Sequence, residues 1–116
     1  MTEAAELQLI FQSSVDLERW VLTHGVGLLY AIRQGVMAPI AAESELFKPA
    51  YLHLLEKKSC SLEVCDFVQR GFFLDDVQHL VGEEALQHTV DEMLDIAVRL
   101  LRERPKDIWV GRVSPA

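Results

Sequence analysis

Apolar residues recur along this chain with the period of a helix, and glycine, proline and serine interrupt them where helices start and stop. Residues 15–34 are apolar on nearly every side, which marks a helix enclosed by others; Ser13 and Ser14 give it a polar start, and Gly35 holds the place of a left-handed C-terminal cap. Gly25 and Gly27 would let a neighbour pack closely against it. Pro39 and Pro49 each suit a first helical turn, where the missing N–H costs nothing. They predict short helices over about 39–46 and 49–58, with Phe47 in the hinge. Ser61 can cap a helix reaching about Arg70, which Gly71 is expected to end in the same way as Gly35. Asp75 or a neighbour can cap a further short helix to about Val81, and Gly82 separates it from the clearest helix, 83–104. There Leu86, Val90, Met93, Leu94, Ala97, Leu100 and Leu101 recur at spacings of three and four, so one stripe must face a core. Glu83 and Glu84 open that helix and Arg99, Arg102 and Arg104 close it, the charge order the helix dipole favours.

The fold class these signals predict is all-α: a compact bundle of about five to six helices, two of them long (about 15–34 and 83–104), with short helices between. No low-complexity segment, solenoid-period repeat or Gly/Ser linker divides the chain, so residues 1–116 read as one domain. Pro105 stops the last helix. In the tail, 105–116, Ile108, Trp109 and Val110 precede Gly111 and Pro115; a docked arm and a short edge strand both fit.

Charge narrows the range of partners. Eighteen acids against eleven Lys and Arg give a net charge of -7, the same sign as nucleic acid and anionic lipid, so neither is an expected partner. The longest uncharged run, 20–32, is too short for a bilayer, which needs about 20 apolar residues. Two acids, Glu3 and Glu6, precede the first apolar residues, where a secretory signal would be basic. Cys60 and Cys65 lack the two-residue gap of a redox or zinc motif, which fits a reducing, cytoplasmic setting.

The acids are unevenly placed: between Glu63 and Asp95 stand nine of them against the single base Arg70. Such a stretch is either a solvated face kept soluble by charge or a docking surface for a basic partner, since opposite fields speed encounter and fix orientation. Phe72 and Phe73 beside Asp75 and Asp76 favour docking, although either ring can instead close the core. Glu84, His88, Asp91 or Glu92, and Asp95 lie at metal-ligand spacings, but a helical dimetal site needs Glu-x-x-His pairs and the chain has none. His53, Cys60 and Cys65 lack a fourth ligand, and no cofactor is implied. His24 reads as a core histidine bonded to a carbonyl, and His79 has no nucleophile near it in sequence. No nucleophile elbow, phosphate loop or His-Glu-x-x-His occurs, so the chain does not read as an enzyme. Residues 61–82 have a helix, glycine turn, helix outline, but the second helix opens with Asp75 and Asp76 and carries no Lys or Arg, which DNA recognition requires.

The run Ala31-Ile32-Arg33-Gln34-Gly35-Val36, then Leu46-Phe47-Lys48-Pro49, then Gly71-Phe72-Phe73-Leu74-Asp75-Asp76-Val77 before Leu80 resembles small helical bacterial proteins of unknown function over about residues 28–101. Members of such families are sometimes immunity proteins, which protect a cell from a toxin; the resemblance assigns no functional residues. With the acidic run, it leads to the expectation of a cytoplasmic bacterial protein-binding protein, an immunity protein that occludes a basic toxin. Phe72, Asp75, Asp76, Glu83, Glu84, Asp91 and Asp95 are its expected contacts. Two other classes remain open: a module that self-associates, as a homodimer, through apolar surface of the long helices, and a metal-dependent helical enzyme centred on Glu84 and His88.

Overall fold

The computed structural model describes residues 4–106 and 110–115. Strand β1 (Leu7–Phe11) leads into helix α1 (Ser14–Arg33), followed by α2 (Pro39–Glu45), α3 (Pro49–Lys57) and α4 (Leu62–Arg70). A 3₁₀ turn (Gly71–Phe73), the single turn α5 (Leu74–Asp76) and a π turn (Val77–Val81) lead to α6 (Glu83–Arg102), and β2 (Val110–Pro115) closes the chain. The all-α reading holds, with a two-stranded antiparallel ribbon added, in which Leu7 faces Pro115 and Leu9 faces Val113. The tail therefore forms a strand rather than an arm. Its partner β1 was not expected, and Ile108 and Trp109 lie outside the described residues.

The two long helices run antiparallel and form the centre. Leu17, Val21, Leu22, Leu28, Leu29 and Ile32 of α1 are buried, as are Leu86, Val90, Met93, Ala97 and Leu100 of α6. The short helices add Ala42, Leu46, Phe47, Leu55, Val64, Phe67, Val68 and Leu74, completing one apolar cluster. Phe47, in the hinge between α2 and α3, meets Phe67 edge to face, with ring centroids 5.8 Å apart.

The helix ends follow their capping residues. Ser13 accepts from the Asp16 amide at 3.2 Å, and Ser61 from the Val64 amide at 3.3 Å. Gly35 sits at φ +72, with Val36 N–H donating to the Ala31 carbonyl and Gly35 N–H to that of Ile32, the paired bonds of a Schellman end. Cys60 and Ser59 repeat these bonds onto Leu55 and Glu56 after α3, so Ser59 takes φ +57.

Gly71 departs from expectation: its φ is -81, and the chain winds on through the 3₁₀ turn instead of stopping. Its lack of a side chain serves packing, because a Cβ there would lie 2.2 Å from the Phe47 ring. Gly25 likewise admits the Phe67 ring, whereas a Cβ on Gly27 would meet nothing within 4 Å. The expected short helix after Gly71 is irregular, and no side chain of its own caps it. The Asp75 amide is taken instead by the Glu43 carboxylate of α2, at 2.8 Å.

One buried charge ties three elements together. Glu18 of α1 receives the Ser61 amide at 2.6 Å and pairs with Arg104 at 3.2 Å. Arg104 also donates to the Ser61 hydroxyl and, at 2.7 Å, to the Leu100 carbonyl at the end of α6. Arg19 donates to the carbonyls of Leu101 and Lys106, so two arginines satisfy groups that a helix C-terminus leaves open.

Candidate docking surface

The antiparallel pairing brings the end of α1 beside the start of α6, where Arg33 and Asp91 form an ion pair at 3.1 Å whose geometry is too oblique for a hydrogen bond. Helix α2 and the irregular segment 71–81 pack at this end. Proline at the start of α2 fixes its first turn, and Glu43, one turn on, holds the Asp75 amide. The two segments are thus joined side by side.

Between them lies an open groove of about 630 Å³, lined by Ile40, Glu43, Ser44, Phe47, Lys48, Pro49, Phe72 and Phe73. On the far side of the α2 start is a second, of about 380 Å³, lined among others by Ile32, Val36, Met37, Pro39, Gln78, Glu83 and Leu86. The rims are apolar and exposed: Val36 79%, Ile40 57%, Phe73 61%, with Leu80 83% and Val81 72% in the π turn that borders the second groove through Gln78. That turn buries none of its residues. Isolated exposed apolar side chains need no explanation, but here five lie on segments that line or border the two grooves.

The expected contact residues divide. Asp76, Glu83 and Glu84 are exposed at this end, and Asp75 is partly so; its side chain lies 3.4 Å from His79 Nδ1, which also donates to the Asp75 carbonyl at 2.9 Å. Phe72 is half-buried against the core and meets Phe73 edge to face, so Phe73 is the aromatic presented to solvent. Glu83 accepts from Gln78 and Gln87 at 2.9 and 3.0 Å, which holds its carboxyl below the usual range. Asp91 is engaged by Arg33, and Asp95 lies one turn further along α6, exposed. The sequence reading missed Ile40, Val36, Leu80, Val81 and Glu43. Ile40, Leu80 and Val81 fell in expected short helices to which no face was assigned, and Val36 in the connection after Gly35. Desolvation pushes the Glu43 carboxyl up, and repulsion from Asp75 and Asp76 adds to this against the Asp75 amide bond.

The other chemistry is sparse. His88 Nε2 pairs with Glu92 at 2.7 Å, and among the described residues no group of three His, Cys, Asp or Glu is placed to hold a metal ion. His24 is not a core histidine bonded to a carbonyl: it is half-buried, stacked on Trp20 at 4.9 Å, with Nε2 3.4 Å from Glu45. Burial, then the negative charge of Glu18, pushes the Cys60 thiol up to about 11, and burial raises Cys65. Both thiolates are disfavoured, the reverse of a nucleophilic cysteine. Among the described residues, no helix is long and apolar enough to cross a membrane.

No curated protein and no solved structure matches the chain. A family match spans α1 to α6 and leaves both strands of the ribbon outside it: over residues 12–109 the chain belongs to the family described as protein of unknown function (DUF3969).

Proposed function

We propose that this chain is a protein-binding domain that docks a basic partner at the end formed by α2, residues 71–81 and the start of α6. The observation that supports this most is that exposed Phe73, Leu80 and Val81 share residues 73–84 with Asp75, Asp76, Glu83 and Glu84, while exposed Val36 and Ile40 line the adjoining grooves. Acids around an apolar centre match the usual division of labour at an interface: desolvated apolar anchors supply affinity, and rim charges supply orientation and encounter rate. The π turn adds weight, because such turns are rare, cost regular hydrogen bonding and recur at functional sites.

In its narrower form the partner is a toxin and the chain an immunity protein acting in the bacterial cytoplasm. A nuclease must be basic to hold its substrate, so an acidic surface with apolar anchors competes for the same face. The non-enzymatic reading goes with it: the described residues offer exposed carboxylates and apolar side chains rather than an activated nucleophile.

The test is affinity capture at low salt with the intact chain and with Asp75→Asn/Asp76→Asn, followed by salt titration. A basic partner should be released as salt rises, and the double variant should bind it more weakly with a shallower salt dependence. Unchanged binding by the double variant would remove these acids from the surface. A second reading, self-association, is favoured by the apolar side chains taken without the acids. Salt separates the two, because a dimer of chains each carrying -7 tightens as its repulsion is screened, whereas a complex of opposite charges loosens.

A further inference from the structure

The groove between α2 and the 3₁₀ turn is selective in what it can hold. Its walls are mostly apolar or aromatic, formed by Ile40, Phe47, Pro49, Phe72 and Phe73 with Ser44 and Lys48, and its carboxylate is Glu43. Asp75 and Asp76 stand outside the lining but near enough to Glu43 to add to the negative field there. The Asp75 amide fixes Glu43 Oε2 at 2.8 Å, which orients the carboxylate before any ligand arrives. The one base on the lining, Lys48, is drawn aside: its ammonium sits over the Tyr51 ring, 5.7 Å from the centroid.

A purely apolar side chain would fill such a groove but leave the partly desolvated Glu43 without a counter-charge. A small cation would satisfy Glu43 but leave the aromatic walls uncovered. A side chain with an apolar stem, a flat cationic head and donors that match a carboxylate satisfies both, and arginine has that form. We propose that the groove seats one arginine of the docked protein. Its stem lies along Ile40 and Pro49, its guanidinium stacks beside Phe73, and its donors meet Glu43. This rests on the docking reading above and narrows it from a basic surface to a single anchoring residue.

N-acetyl-arginine methylamide is the probe, titrated into the ¹⁵N-labelled full chain, with the citrulline analogue as its neutral isostere and the lysine analogue as its compact-charge counterpart. The arginine probe should shift the amides of Ile40, Glu43, Ser44, Phe73 and Asp75, with the lysine probe several-fold weaker and the citrulline probe without effect. Glu43→Gln keeps an acceptor for the Asp75 amide, so the fold survives, and it should weaken the arginine probe about tenfold, the loss of one charged partner. Phe73→Ala removes an exposed ring and should weaken it several-fold. Equal shifts from the citrulline probe, or full binding by both variants, would overturn the assignment. The wider reading fails separately: a basic protein captured and released by salt, with a groove unresponsive to the arginine probe, would overturn the arginine seat and leave the docking surface standing.

Discussion

Two glycines and a serine show why a residue type means little without its neighbours. Gly25 and Gly27 are two residues apart in α1, and both read as sites of close packing, but only Gly25 touches anything: the Phe67 ring would lie 2.7 Å from an added Cβ. Gly27→Ala should therefore stabilise the fold by about 1 kcal/mol through helix propensity. Gly25→Ala should destabilise it by about 1–3 kcal/mol, because Phe67 is fully buried against Phe47 and has no free direction to move. Urea denaturation of the two variants should give midpoints on opposite sides of the parent. Ser59 presents the reverse case, a side-chain residue held at φ +57 to complete the end of α3. Ser59→Gly should raise stability by about 1 kcal/mol, and a fall in the melting temperature would contradict the strain assigned to it. Of these, only the close packing at Gly25 was legible in the chain alone. Serine carries no mark of left-handed backbone, and a glycine does not announce whether it serves a turn, a contact or neither.

Between elements, the Glu18, Arg104 and Ser61 cluster joins the start of α1, the cap of α4 and the end of α6. Glu18 is 6% exposed, so removing it leaves the Arg104 guanidinium nearly buried without its counter-charge. Glu18→Ala should cost about 3 kcal/mol, and a loss under ~1 kcal/mol would mean that water reaches Arg104 freely. A signal for this cluster did exist: Glu18 stands three and four residues before the buried Val21 and Leu22, a charge on the wrong face of an apolar helix. Cys60 sits beside the cluster, with its thiol held up at about 11 against an ordinary 9.0. Below about pH 9 both folded and unfolded chains carry the thiol; above it the unfolded chain ionises first, so stability should fall as pH climbs towards about 11. Denaturation midpoints at about pH 8 and about pH 10 should show that fall, with Cys60→Ser reducing it and Cys65 supplying part of the remainder. Helix positions were read well wherever a proline, serine or Gly35 marked an end. The 71–81 segment was read poorly because its shape is imposed from outside, by Glu43 holding the Asp75 amide and by Phe47 lying against Gly71.

Over the whole molecule, the antiparallel packing of α1 on α6 converts an uneven sequence into a polar object. The acids of 75–84 gather with exposed Val36, Ile40, Phe73, Leu80 and Val81 at one end, and Arg19 and Arg104 close the other. The acidic half of that surface was visible as a run of charge. The apolar half was not, because Ile40 belongs to a helix too short for its periodicity to assign a buried face, and Leu80 and Val81 belong to a π turn that periodicity cannot foresee. Asp91 shows the limit from the other side: it lies in the acidic run, but Arg33 already holds it. The central claim is that the α2 and 71–84 end is where a basic protein docks. The most direct measurement is amide hydrogen exchange of the full chain, free and saturated with the partner recovered at low salt. Protection confined to about 36–44 and 72–84 is the expected result; protection centred on the α1 face around Trp20 and Tyr30, or on β1, with 72–84 unchanged, would contradict it.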